Sequence, residues 1–508
     1  MALGYAEKLS FKADVGKLGM PELFDPAQDV DRKIAQLAQL IQESKHLVAF
    51  TGAGISTSCG IPDFRGPKGI WTLQHEGKPL PKADVQFHQA RPGTTHMALV
   101  ELVCAGILKF IISQNIDGLH LRSGIPRDKL SELHGNSFME TCPSCGREYL
   151  RDFEMETIGI KRTGRRCSVP GCVGRLVDTI VDWEGALPPK ELRAAEKHCK
   201  EADLIVCLGT SLQITPACNL PLKTVRAGGK LVIVNLQATP KDKKATLVIH
   251  ARVDQVILGV MRLLNRNIPP FIRLDHLLVC CSYSWLNNCV KWTLRIESPH
   301  GNKAPLQFIK HVEVEFPDRP DFKPALLKER PYVVRRKAVE LKALDVLLKL
   351  HMSDGCMCEE VEILHPLSFE GEAEKQKQLP QGPVDLSALQ REKVQCGRVV
   401  LLDVRKSSEY GTAVEYALVT CVTGGVEQQG KAEPGFLEEE VTRPPCSNGK
   451  QEITCTTSLE ASGEEAASLL DREMTRPPPQ NQDKKHHNRI EELTETKPRI
   501  RKRARLRS

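Results

Sequence analysis

The chain has 508 residues, 41 % hydrophobic and 27 % charged, with a formal net charge of +7, an ordinary globular composition that permits an acidic partner without arguing for one. It holds no run of eighteen apolar residues, and MALGYAEKLSFKADVG at its start lacks the basic and apolar regions of a secretory leader, so neither a membrane span nor secretion is expected. Its 18 cysteines therefore read as reduced thiols plus a metal site rather than as a disulfide scaffold.

Residues 28–45 place Val30, Ile34, Leu37, Leu40 and Ile41 at helical spacing. Apolar strand-like runs follow at 47–51, 109–114, 203–208 and 230–236, with helical patterns at 95–105, 188–201, 216–226 and 252–265. Short buried strands alternating with helices predict an α/β fold, a doubly wound Rossmann-like parallel sheet whose ligands bind beyond the carboxyl ends of the strands. Residues 137–180 interrupt that alternation with four cysteines and read as a small inserted module. Past about residue 270 the pattern turns β-rich, in VKWTLRI (290–296), FIKHVEVEF (308–316), YVVRRKAVELKALDVLLKLHM (332–352), RVVLLDV (398–404) and AVEYALVTCV (413–422). The polar stretch 366–396 reads as a long loop. The expected division is an N-terminal extension at 1–27, an α/β domain at 28–270, a β-rich accessory domain at 280–424, and a disordered tail at 425–508.

FTGAGISTSCGIPDFRG (50–66) sets a glycine pair directly behind the first strand. Gly52 and Gly54 allow a sharp strand-to-helix turn and a close approach of backbone to a phosphate, at a helix N-terminus with free N–H groups. Gly52-Ala53-Gly54 by itself fits a plain structural turn as well, and Thr57 stands where the dehydrogenase fingerprint G-x-G-x-x-G has its third glycine. Further along come SQNIDGLH (113–120), SELHGN (131–136), LGTS (208–211) and VNLQ (234–237). In this order, over about 45–270, these motifs resemble those of the sirtuins, NAD-dependent protein lysine deacylases. GPKGIWTLQ (66–74), DWEGALP (182–188) and NLQATPKDKKA (235–245) are most similar to the class IV, nuclear and chromatin-acting branch, and the two chain ends resemble its plant members.

The resemblance implies a reaction in which an acylated lysine attacks the nicotinamide ribose of NAD as nicotinamide leaves. It implies that His134 is the general base, a role that suits an imidazole. Gln114 and Asn115 match residues that hold the nicotinamide ribose and order water, with Asn115 counted as catalytic beside His134. Ile116 and Asp117 match the nicotinamide pocket, Asp117 accepting from the carboxamide. Gly52, Ala53, Gly54, Thr57, Asp63, Phe64 and Arg65 form the cofactor loop, with Arg65 reaching a phosphate or closing the loop. Gly209, Thr210 and Ser211 would cap a helix and bind phosphate or ribose. Asn235 and Gln237 match adenosine-ribose contacts, Val253 would lie against adenine, and Trp71 would stand near the nicotinamide ribose or simply pack. Substrate would add as a β-strand around residues 180–184, where this chain has Asp182-Trp183-Glu184.

Cys142-x2-Cys145 and Cys167-x4-Cys172, separated by 21 residues, offer four thiolates, a closed tetrahedral set suited to one structural Zn2+. His198 and Cys199 are not expected to be ligands, and Cys280, Cys281, Cys356 and Cys358 have no clear pairing. KPRIRKRARLRS, with seven basic residues in twelve, reads as a nuclear localisation signal that could also touch nucleic-acid phosphates. The expected activity is deacetylation of histone tails, H3 foremost, and of other acyl-lysine proteins, in chromatin silencing in the nucleus. Mono-ADP-ribosyl transfer, long-chain deacylation and a chromatin scaffold are the alternatives.

Overall fold

The computed structural model describes residues 15–80, 87–182, 185–301, 304–339, 341–353, 360–369, 398–408 and 411–421. Helix α1 (Ala27–Glu43) buries Val30, Ile34, Leu37, Ala38 and Ile41 along one face. Strand β1 (Leu47–Thr51) is buried throughout and leads into two single 3-10 turns, Ala53–Ile55 and Thr57–Cys59. There follow α2 (Ile70–His75), α3 (Thr94–Cys104), β2 (Leu108–Ser113), α4 (Leu119–Arg122) and β3 (Leu130–Glu132). A cysteine module holds β4 (Met139–Thr141), β5 (Glu148–Leu150), β6 (Arg162–Arg166) and β7 (Arg175–Asp178). The chain then returns to the α/β pattern with α5 (Pro189–Glu201), β8 (Leu204–Leu208), α6 (Pro221–Arg226), β9 (Lys230–Val234), β10 (Leu247–Ile249) and α7 (Val253–Leu263).

Six parallel strands form one sheet in the order β10-β9-β8-β1-β2-β3. Period-2 alternation divides their side chains between two cores. Leu47, Ala49, Leu204, Val206, Val232 and Val234 meet α1, α3 and α7 on one face. Val48, Phe50, Ile205, Cys207, Leu231 and Ile233 meet Ala195, Cys199 and Leu220 on the other. The chain runs outward from β1 through β2 to β3, then returns and runs the opposite way from β8. The strand order therefore reverses beside β1, and a crevice opens there at the carboxyl ends of the strands. This is the Rossmann-like arrangement that the alternation predicts.

Beyond α7 the chain builds two antiparallel sheets from β11 (Ile272–Leu286), β12 (Cys289–Glu297), β13 (Ile309–Glu315), β14 (Ala325–Leu327), β15 (Tyr332–Val339), β16 (Ala343–Met352), β17 (Glu360–Ser368), β18 (Arg398–Ser408) and β19 (Gly411–Cys421). Their orders are β15-β12-β11-β19-β18 and β14-β13-β16-β17, and one hydrophobic core lies between them. Trp292, 2 % exposed, is the largest side chain in it and meets the rings of Phe316, Phe322 and Phe369. The stretch 332–352, read as one β-rich run, divides at Leu341 and Lys342 into strands that belong to opposite sheets. Most of the polar stretch 366–396, Cys356, Cys358, and the tail with its basic end lie outside the described residues. Among the described residues, no helix is long and apolar enough to cross a membrane.

The cysteine module is a four-stranded antiparallel sheet, β5-β4-β7-β6, centred on a buried carboxylate. Glu140, fully buried, accepts from Arg151 Nε and Arg165 Nε at 2.7 Å each, and Thr163 donates to its other oxygen. A buried charge with this many donors is stabilised, but removing it leaves the buried Arg151 guanidinium without its carboxylate. Glu140→Gln should cost the module about 3 kcal/mol, read as lost hydrogen-exchange protection in β4–β7. Glu156→Gln, whose carboxylate is 60 % exposed beside Arg165, should cost under about 1 kcal/mol in the same experiment.

Candidate functional site

Three glycines build the crevice. An added Cβ on Gly52 would sit 2.7 Å from the Gly209 carbonyl oxygen, and one on Gly54 only 2.8 Å from Gly209 Cα. Gly209 itself is left-handed at φ +60°. The loops behind β1 and β8 thus touch backbone to backbone. Gly52 N–H donates to Leu208 at 3.0 Å, Gly54 N–H to Gly209 at 2.9 Å, and Gly209 N–H to Val234 at 2.9 Å. The expectation of free N–H groups is corrected at these two glycines. Their N–H groups are engaged within the protein, and 3-10 turns replace the expected α-helix N-terminus. Thr210 caps no α-helix either, since α6 begins only at Pro221. Instead its Oγ1 accepts from Gln114 Nε2 at 2.8 Å and from the Leu212 N–H at 3.3 Å.

An inner chamber of about 110 Å³ lies at this junction. Gly52, Ala53, Gly54, Asp63, Phe64, Arg65, Trp71, Gln114, Asn115, Ile116, His134, Thr210, Ser211, Asn235 and Gln237 all line it, so motifs from five stretches of sequence converge on one space. His134 Nδ1 lies 2.9 Å from the Gln114 carbonyl. A carbonyl only accepts, so Nδ1 carries the proton and Nε2 the lone pair. Burial, with help from the Arg65 charge, holds the imidazole below its ordinary pKa, against the opposing pull of the Gln114 carbonyl. Gly135 (φ +84°) lets the chain turn behind it, where an added Cβ would lie 1.9 Å from the Thr179 carbonyl.

Asp117, which is buried, follows Ile116 of the chamber wall. Its Oδ2 accepts from Ser56 Oγ at 2.7 Å and its Oδ1 from the Leu119 N–H at 2.9 Å. Ser56 in turn accepts from Asn115 Nδ2 at 3.3 Å, and the same amide donates to the Gly52 carbonyl at 3.1 Å. Asp117 therefore fixes Asn115 through Ser56, from behind the site. Ser56, fully buried, was missed in the sequence, although it sits inside the GAGIS stretch. Asn136 was missed as well. It donates to Glu132 at 2.8 Å and accepts from the Phe138 N–H at 2.8 Å, bracing the turn that carries His134.

Outward, the chamber continues into a cleft of about 1050 Å³, sharing Gly54, Asp63, Asn235 and Gln237 with it. Thr57, Gly209 and Val253 line this cleft. Asn235 Nδ2 donates to the Gln237 carbonyl at 2.8 Å, which shapes the β9 exit loop. Asp63 accepts from the Gly66 N–H at 2.8 Å, and burial raises its carboxyl above the ordinary range. Arg65 is 8 % exposed. Its Nε donates to the Val15 carbonyl at 2.9 Å, its guanidinium lies 4.4 Å over the Trp71 ring, and Trp71 meets Phe64 at 4.5 Å. Its Nη2 is buried without a hydrogen-bond partner. Burial lowers the guanidinium pKa to about 10, so it stays cationic at neutrality. The residues before α1 strap this side. Gly19 N–H donates to the Arg65 carbonyl at 3.1 Å, Gln237 Nε2 to the Met20 carbonyl at 2.6 Å, and Leu23 N–H to Leu236 at 2.7 Å.

Beside His134 runs the segment leading out of the module, with Val181 N–H donating to the His134 carbonyl at 3.0 Å. Trp183 and Glu184 lie outside the described residues. Cys142, Cys145, Cys167 and Cys172 come together with all four sulfurs within 4.8 Å of one another, and could hold a metal ion. Cys199 is fully buried, and His198 stacks on Phe110 at 3.9 Å.

A family model described as Sir2 matches residues 79–216. The NAD-dependent protein deacetylase SRT1 of Arabidopsis thaliana is 56 % identical over 444 residues, 86 % of this chain and 94 % of that protein. The protein of the same name from Oryza sativa subsp. indica is 60 % identical over 369 residues, 73 % of this chain and 76 % of that one. The NAD-dependent protein deacetylase Sirt6 of Drosophila melanogaster is 48 % identical over 278 residues, 53 % of this chain and 87 % of its own. The plant relatives thus extend into the β-rich part, as the resemblance of the chain ends implies. With a relative aligned over nearly its whole length, and the five motifs gathered around one crevice, the chain belongs to the Sir2 family, the sirtuins.

Proposed function

We propose that the chain is an NAD-dependent protein lysine deacetylase that acts on acetylated histone tails, with nicotinamide and O-acetyl-ADP-ribose as products. The observation that carries the reading is the convergence of His134, Gln114, Asn115 and Arg65 on one chamber that opens into a cleft of dinucleotide size. The orphaned, buried Arg65 Nη2 fits an anionic pyrophosphate, because a cation without a hydrogen-bond partner is costly unless a ligand supplies one. NAD, when bound, supplies an activated ribose that accepts the acyl group and releases nicotinamide.

The chain's own residues supply orientation, dryness and a base. His134 takes a proton at Nε2, and the Gln114 carbonyl holds its ring and tautomer. Asn115, fixed through Ser56 and Asp117, presents its amide beside Gly52. Gln114 is tied to Thr210, so the exits of β2 and β8 move together. Phe64, Trp71 and Ile116 give the chamber apolar walls that exclude water. Substrate peptide adds along residues 180–182, beside the His134 carbonyl. The four cysteines hold one structural Zn2+, their sulfurs forming a closed thiolate set with no open position. Nuclear location and chromatin contact rest on the basic run at 497–508.

Incubating the protein with acetylated H3 peptide and NAD should yield deacetylated peptide and O-acetyl-ADP-ribose by mass spectrometry. His134→Ala should lower kcat by 10²–10⁴-fold, roughly the worth of a general base. If ADP-ribosylated or long-chain-deacylated product dominates instead, the assigned substrate is wrong while the site stands. The pH profile tests the base separately. Since burial lowers the His134 pKa, the basic form already prevails at neutrality. The acid limb of kcat/KM should therefore fall below the usual histidine value of about 6.5, and a limb above it would remove His134 from the role. Making Cys145→Ser should lower the bound zinc by one per chain by mass spectrometry and unfold the module, with loss of peptide turnover.

A further inference from the structure

The outer face of the β14-β13-β16-β17 sheet carries a cluster that deacetylation does not use. The antiparallel register sets His311 on β13 directly opposite His351 on β16, and His351 directly opposite Glu360 on β17. Glu313, two residues beyond His311, shares its face. The alternate residues Val312, Val314, Leu350 and Val361 point the other way, into the sandwich core. Four ligand-type side chains from three neighbouring strands therefore stand together on the solvent side.

We propose that His311, Glu313, His351 and Glu360 form a binding site for a zinc-class divalent ion, separate from the four cysteines. His351 Nε2 lies 3.3 Å from Glu313 Oε1 and 3.3 Å from Glu360 Oε2, and His311 Nε2 lies 3.9 Å from the same Glu313 oxygen. Zinc bonds of about 2.0–2.1 Å in a tetrahedron put neighbouring ligand atoms about 3.3 Å apart. The two His351 distances are those of a ligand shell; the ligand atoms of His311, Glu313 and His351 lie within 4.8 Å of one another, and the His311 ring, stacked on His351 at 4.0 Å, must turn out of the stack to aim its nitrogen at the same point. His351 Nε2 is buried and makes no hydrogen bond, although both carboxylates are near, so the oxygens lie beside the ring nitrogen without satisfying it. An ion between them would serve all the groups at once. Two imidazoles with two carboxylates suit zinc, nickel or copper over magnesium or calcium. The side chains are 23–39 % exposed, which leaves an entry path. Lys349 in the adjacent row is held by Glu315 at 2.9 Å and does not take these carboxylates. A second group, His46, His198 and Glu201, fits less well, because its two imidazoles already hydrogen-bond each other at 3.1 Å.

Cobalt(II) titration of the full metal-free chain distinguishes the two sites without mutation. One equivalent bound at the cysteines brings sulfur-to-metal charge-transfer absorbance, and a further equivalent should bind with ligand-field bands alone. Binding that stops once the charge-transfer band saturates overturns the proposal. The double variant His311→Gln with His351→Gln should lose only that further equivalent, with the cysteine signal unchanged. Glu313→Gln with Glu360→Gln, which keeps both rings, should weaken its affinity by more than tenfold. Retention of the further equivalent with unaltered affinity in both variants would assign it elsewhere and sink the proposal. Should either pair fail to fold, copper(II) bound to the unmutated chain decides. Nitrogen splitting from two imidazoles in its resonance spectrum supports the site, and its absence overturns it.

Discussion

The contact on which the catalytic half rests is between backbones. Gly52 and Gly54 on one loop lie against Gly209 on another with no room for a Cβ on any of the three. Side-chain packing tolerates small changes by repacking, but backbone atoms at this distance have nothing to give. The exits of β1 and β8 are locked at the one place where the strand order reverses. Every other part of the site refers to that lock. Asn115 donates to the Gly52 carbonyl, Thr210 follows Gly209 and holds Gln114, and Gln114 holds the His134 ring.

The buried polar groups around this lock are arranged in series. Asp117, Ser56 and Asn115 form one chain of hydrogen bonds, and Glu132, Asn136 and the Phe138 N–H form another. Each chain ends on a residue that faces the chamber or on the turn that carries one. In a low-dielectric interior such chains are unforgiving of a missing member. They hold the geometry of Asn115 and His134 without occupying the space that ligands need.

The catalytic fold was legible because its strands are short apolar runs of β length and its helices carry helical spacing. Val48 and Phe50 alternate with Leu47 and Ala49, and both sets are buried, which is what a doubly covered sheet demands. The site was legible as motifs, yet the motifs misassigned some physics. GAGIS suggested free N–H groups, while those of Gly52 and Gly54 are taken up in loop-to-loop contact, because φ freedom and absence of a Cβ look identical in sequence. Asp117 reads as a nicotinamide contact through the resemblance, since a polar cluster after a strand by itself fits a simple turn. Only the fold shows that Ser56 links it to Asn115. The sandwich was legible as strands but not as sheets. Nothing in 332–352 marks where β15 leaves one sheet and β16 joins the other, since pairing is set by partners far away in sequence.

The strap before α1 has a consequence for how the chain assembles. Val15, Gly19, Met20 and Leu23 bond with Arg65, Gln237 and Leu236. Synthesis delivers the strap first and its partners on the β9 exit more than two hundred residues later. Met20 and Leu23 must therefore wait for these bonds until the sheet has closed as far as β9. Their docking reports completion of the α/β unit, so a nascent chain halted before residue 237 would carry the Gly52 loop but not the wall that closes over Arg65.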